Sequence, residues 1–169
     1  MNTSNAQSVI ETISNAFAGV PQPDEITLHV AEAQDNYDFA GAELHRKKDF
    51  RGPWQEVPEQ HLENCQYALS YLDPVGFRFY LPAFMVWYLK NYQDPNKVKL
   101  DNTLYALDPY IDDQAMKKHK EELFALFNPQ QLSACARFVS FLAHDATGMT
   151  DEDFAARIYL EHWHLFDSE

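Results

Sequence analysis

The sequence predicts a mainly α protein, a compact bundle of about six to seven helices with an irregular segment around residues 35–60. Three observations carry this expectation. Apolar residues recur at spacings of three and four along most of the chain, and the period-two alternation of strands is weak everywhere. The dipeptides Asp73-Pro74, Asp94-Pro95, Asp108-Pro109 and Asn128-Pro129 fall where apolar stretches begin or end, as helix caps and stops do. The apolar fraction of 46%, with 14% aromatic residues, suffices for a large core and excludes disorder over most of the length.

Taken in order, the first helix is expected over about residues 5–18. Ser4 with Gln7 forms a capping box, and Val9, Ile10, Ile13 and Phe17 make its apolar stripe. Gly19, Pro21 and Pro23 stop it. Asp24 can cap a short helix through Ile26, Leu28, Val30 and Ala33; Gly41, Gly52 and Pro53 then mark turns, and Trp54 is expected to pin this region to the core. Pro58 starts a short helix that continues toward Leu72, and Asp73-Pro74 opens the next. Pro82 is expected to kink or restart that helix. Phe84 to Tyr92, apolar nearly all round, is the expected central helix. Leu100, Leu104 and Leu107 suggest a short helix, Asp112 a cap for one reaching Phe127, and Asn128-Pro129 a cap for one carrying Leu132, Cys135, Val139 and Leu142. Thr150 with Asp153 suggests a variant capping box for the last helix. One domain over residues 1–169 is expected at this length.

The net charge is −13, from 26 acids and 13 bases. Residues 1–60 and 111–169 each contribute −6 and the middle is nearly neutral. Phosphate contacts need clustered cations, so direct nucleic-acid binding is not expected. The one basic cluster, Arg46-Lys47-Lys48 with Arg51, is flanked by acids. The most apolar stretch, residues 77–89, contains Arg78 and Pro82 and is too short to span a bilayer, so no membrane association is expected. No basic stretch followed by an apolar run opens the chain, and Cys65 and Cys135 read as buried free thiols, so a cytoplasmic location is expected.

The chemistry-bearing residues are few. His144-Asp145 resembles the paired ligands of metal-dependent phosphohydrolases, but it precedes Ala146-Thr147-Gly148 and fits a helix C-terminus, where histidine is favourable. Glu161 and His164 are spaced to share a helical face, yet a carboxylate-bridged di-metal bundle needs two such pairs. With His119 these residues form an alternative metal set. Asp151-Glu152-Asp153 lacks the alternation and turn glycine of a calcium loop and suits a helix N-terminus. The five glycines form no phosphate loop, and neither Gly-x-Ser-x-Gly nor His-Glu-x-x-His occurs. No cofactor is expected. Arg78, among Phe77, Phe79 and Tyr80, is expected in a buried pair with a carboxylate or as a surface anchor.

Three segments, Ala16-Phe17-Ala18-Gly19-Val20-Pro21, Trp54-Gln55-Glu56-Val57-Pro58 and the stretch from Leu72 to Phe84, resemble an uncharacterised family of small bacterial proteins of unknown function. The resemblance implies one domain over about residues 8–145 and carries no activity with it. By analogy of size and charge, such proteins include immunity partners of toxins. The expectation is therefore a non-enzymatic protein-binding module, an immunity-type or regulatory partner of a basic protein, with Asp112, Asp113, Asp151, Glu152, Asp153 and Arg78 as contact residues. The alternatives are a hydrolase-like metal-dependent enzyme using His119, His144, Asp145, Glu161 and His164, and a structural subunit of a larger assembly.

Overall fold

The computed structural model describes residues 2–97, 99–146 and 148–167, with side chains from Asn5 onward. Nine α-helices are formed among these residues: α1 (Asn2–Ala16), α2 (Leu28–Asp35), α3 (Ala42–Arg46), α4 (Glu59–Asn64), α5 (Pro74–Asn91), α6 (Asp101–Tyr105), α7 (Gln114–Phe124), α8 (Pro129–His144) and α9 (Glu152–Glu161). Short 3₁₀ turns lie at Trp54–Glu56, Ala68–Ser70 and Trp163–Leu165, and no strand occurs among the described residues. The mainly α fold follows the apolar periodicity, with three of the nine helices only five or six residues long.

α5 is the centre. Asp73 caps it by accepting from the Gly76 amide, and Pro74 occupies the first turn, where its missing N–H costs nothing. Twelve of its 18 residues are buried, so it is covered on several sides rather than along one stripe. α1, α4, α6 and α7 all pack against it. The expected restart at Pro82 does not occur: α5 is one helix from Pro74 to Asn91 with Pro82 inside it. Burial of Phe79, Tyr80, Leu81 and Phe84 around the ring offsets the backbone bond that proline removes.

Around α5, α8 packs against both α1 and α9. Asn128 and Gln131 close a capping box at the start of α8. Edge-to-face ring pairs tie the layers, among them Phe77 with Phe124, Tyr88 with Phe138, and Phe124 with Trp163 at centroid distances of 5.3, 5.5 and 5.4 Å. One cluster of buried residues extends from Ala6 to Trp163. Two tryptophans use their polar ends as ties. Trp54 Nε1 donates to the Phe17 carbonyl just past α1, and Trp163 Nε1 to the Leu107 carbonyl, both at 2.9 Å.

Several boundaries differ from the sequence expectation. α2 is capped in position by Thr27 rather than Asp24, α7 by Asp113 rather than Asp112, and α9 by Asp151 rather than the Thr150–Asp153 pair. The helix after Pro58 stops at Asn64, and the chain re-forms only a 3₁₀ turn at Ala68–Ser70. The Ser4 capping box lies outside the described side chains, and Ser4 itself is already within α1. Arg78 is half-buried and its Nε donates to Gln131 Oε1 at 3.1 Å. No carboxylate pairs with it among the described residues, because the amide of a buried residue supplies the acceptor instead. No helix among the described residues is long and apolar enough to cross a membrane.

Candidate functional site

Among the described residues, polar side chains from separate segments come together around Tyr105 and around His29. The first is built on Tyr105, the last residue of α6. Its ring packs edge-on against Phe154 at 4.9 Å, and its hydroxyl donates to Asp151 Oδ2 at 2.9 Å. The other oxygen of Asp151 accepts from the Phe154 amide and so caps α9. Burial, the Asp151 hydrogen bond and the charges of Asp151 and Asp101 push the Tyr105 phenol up to about 12. Tyr105 nevertheless stays 41% exposed, and nearby Met149 is 58% exposed.

Two more carboxylates follow Asp151 in the chain. Glu152 accepts from the Gly148 amide at 2.9 Å, and Asp153 is exposed. Both lie in the first turn of α9, where the helix dipole favours negative charge. Arg157, two turns into α9, bonds Asp108 Oδ2 at 3.1 Å and Glu161 at 2.7 Å, which clamps the loop after α6 to α9. Asp112 and Asp113 follow that clamp. Asp113 is spent on the amides of Ala115 and Met116, and Asp112 is exposed without such a role. Of the expected contact acids, Asp151, Glu152 and Asp153 therefore gather at the start of α9, and Asp112 and Asp113 precede α7. Arg78 belongs elsewhere, at the junction of α5 and α8. Sequence reasoning missed Tyr105, which carries no motif, and read Asp108 only as part of a helix-stop dipeptide rather than as the partner of Arg157.

The second place lies in the irregular segment. His29 opens α2, Asp49 follows α3, and His61 sits on α4. Each side chain offers a ligand atom, and all three atoms lie within 4.8 Å of one another. His29 Nδ1 approaches Asp49 Oδ1 at 2.7 Å, and the His29 amide donates to both Asp49 oxygens, at 3.2 and 3.4 Å. The Asp49 side chain is only 2% exposed. The His61 ring stands edge-on to His29 at 4.9 Å, and its Nδ1 is buried with no hydrogen-bond partner. Burial, and after it the neighbouring His29, lower the His61 pKa against the opposing pull of Asp49, which favours the neutral imidazole. Cys65, one turn beyond His61, is buried, and burial with the charges of Glu32 and Asp49 pushes its thiol up to about 12, so it is no nucleophile.

The histidines and acids proposed from sequence as metal ligands do not come together in a group of three among the described residues. His119 is exposed on α7. His144 ends α8, its Nδ1 2.9 Å from the Ser140 carbonyl, and Asp145 follows as the C-cap, accepting from Asn5 at 2.9 Å. Glu161 pairs with Arg157. α9 stops at Glu161, and the turn at His162 (φ −147°, ψ −56°) carries His164 off the helix, so Glu161 and His164 share no helical face. His164 Nδ1 lies 3.1 Å from the Tyr159 carbonyl instead.

A family model described as a family of unknown function (DUF6714) matches residues 5–165. No curated protein and no solved structure matches the chain. With nearly its whole length matched, the chain belongs to the DUF6714 family, whose function is unknown.

Proposed function

We propose that this chain is a non-enzymatic protein-binding module for a basic partner, of the immunity or regulatory kind, and that it engages that partner through the acidic surface around Tyr105. The observation that carries this reading is Tyr105 itself, a partly exposed aromatic ring that packs edge-on against Phe154 and bonds Asp151, with the charge of Asp101 also felt at its hydroxyl. A rigid tyrosine supplies contact area at little entropic cost, and Met149 beside the start of α9 adds adaptable apolar surface. Asp112, Asp151, Glu152 and Asp153 steer a basic protein toward this ring, which raises the association rate and makes it salt-dependent.

The test compares capture from a lysate of the source organism by the wild type, Tyr105→Ala, and the double variant Asp112→Lys/Asp153→Lys. Both substituted acids are exposed and neither caps a helix. The expected result is one basic protein retained at low salt, released as salt rises, and lost by both variants while their circular dichroism stays that of the wild type. Equal retention by the variants, or an acidic captured protein, would overturn the reading.

A further inference from the structure

We propose that His29, Asp49 and His61 form a binding site for one divalent transition-metal ion, with zinc the best-matched, and that the ion fastens the irregular segment between α2 and α4. The site is independent of the Tyr105 surface and of any partner.

The argument begins with the ligands. Three segments that share no regular structure converge on one point: the first turn of α2, the stretch after α3, and α4. Each delivers a nitrogen or oxygen donor there, within 4.8 Å of the other two. Two imidazoles and a carboxylate are a donor set for zinc and its first-row neighbours, whereas calcium and magnesium take oxygen almost exclusively.

The second strand is polar accounting. A carboxylate 2% exposed needs a strong partner, and His29 gives Asp49 both its amide and its ring nitrogen. His61 has no such compensation, because its Nδ1 is buried and unbonded. A buried nitrogen left unpaired is costly. The His61 ring stands beside a carboxylate and a second imidazole, a setting that suits a cation. A metal would replace the direct contact between His29 Nδ1 and Asp49 Oδ1, since ligands must be deprotonated.

The geometry sets a demand as well. Zinc bonds of about 2.0–2.1 Å place tetrahedral ligand atoms roughly 3.4 Å apart, so the 2.7 Å contact of His29 with Asp49 must open while any pair near the 4.8 Å limit draws closer. α3 and α4 are five and six residues long, and short elements of this kind can shift to allow it. Three protein ligands leave a fourth position for water. Cys65 lies outside the three-atom set, so no thiolate is expected on the ion.

The experiment uses the full chain without a histidine tag, stripped with chelator and dialysed. Zn²⁺ and Co²⁺ are titrated calorimetrically, and the cobalt complex is recorded by absorption. The expected results are one equivalent of saturable binding, cobalt d–d bands without a thiolate charge-transfer band, and a higher melting temperature with zinc. His61→Ala and Asp49→Asn should each weaken binding by about tenfold or more, while His144→Ala and His164→Ala leave it unchanged. Absence of saturable binding overturns the site, as does weak binding at several equivalents that ignores all four substitutions. A thiolate band overturns the assigned ligands. Should His61→Ala fail to fold, X-ray absorption of the zinc-loaded wild type decides: two imidazoles in the first coordination sphere uphold the site and none refutes it.

Discussion

Replacing Lys120 by methionine should stabilise the protein at neutral pH and lose that advantage in alkali. Lys120 lies on α7, where its ammonium donates to the Ala106 carbonyl at 2.6 Å and sits 5.9 and 5.8 Å from the ring centroids of Phe77 and Tyr110. Burial pulls its pKa down from 10.5 to about 8, against the opposing pull of Asp108. Below pH 8 both the folded and unfolded chains carry the proton, and the folded chain bears the cost of a buried charge. The gap of 2.5 units (10.5 − 8) corresponds to about 3 kcal/mol. Methionine keeps an apolar stem but gives up the carbonyl bond, worth about 1 kcal/mol, and the ring contacts, worth about 0.5–1 kcal/mol. The net gain at pH 7 is therefore about 1–2 kcal/mol. Between pH 8 and 10.5 the unfolded lysine keeps a proton that the folded one sheds, so wild-type stability rises with pH relative to the variant. Over the 1.5 units from pH 8 to 9.5 that recovery is about 2 kcal/mol, enough to erase the difference. Burial also raises the Cys65 and Cys135 thiols, so both proteins lose stability as pH climbs past the free-thiol value, and this common loss cancels in the comparison. Urea unfolding of the two proteins at about pH 7, 8 and 9.5 measures the difference directly. A difference that does not change with pH would refute the buried-ammonium argument.

Two further substitutions probe the junctions of the fold. Gln131→Leu should destabilise by about 2–4 kcal/mol in denaturant melts, because the 1%-exposed amide serves Arg78 Nε, the Asn128 amide and the Ala16 carbonyl at once and leucine strands all three. Gly76→Ala should destabilise by about 1–2 kcal/mol despite alanine's better helix propensity, since a Cβ there would meet the Ile26 carbonyl oxygen and Leu72 Cδ2 at 2.9 Å. A variant as stable as the wild type would mean that the α2 entry yields freely.

What was legible in the sequence was local chemistry. Asp73-Pro74 and Asn128-Pro129 place α5 and α8 to the residue, because a cap, a first-turn proline and the following amide are neighbours along the chain. Where two adjacent residues both qualify as caps, as at Asp112 and Asp113 or Thr150 and Asp151, packing decides, and local pattern has no vote. α2 starts late for a similar reason: the Ile26 carbonyl lies hard against Gly76 of α5, a contact between residues 50 apart. The acids of α9 were visible as a run, but their grouping with Tyr105 and Asp108 depends on how α6 docks. His29, Asp49 and His61 were invisible as a set. They are separated by 20 and 12 residues of irregular chain, with no shared period and no motif that brings them together. The proposed His119, His144, Asp145, Glu161 and His164 set had the opposite character: suggestive spacing within a short reach, dispersed by a helix that stops at Glu161.

The packing of α1 against α8 has a consequence for how the chain is made. α1 emerges before its neighbours, with Ile13, and Phe17 just past its end, fully buried in the finished protein, yet its neighbour α8 begins only at Pro129, and the amide that donates to the Ala16 carbonyl lies 115 residues downstream. At roughly 5–20 residues per second of synthesis, that apolar stripe waits on the order of ten seconds for its cover. α5 arrives sooner and packs on α1 as well, so an α1–α5 pair is the earliest shelter open to it on the ribosome. Substitutions that loosen this pair should thus lower the yield of folded chain in the cell by more than their effect on the completed protein's stability implies.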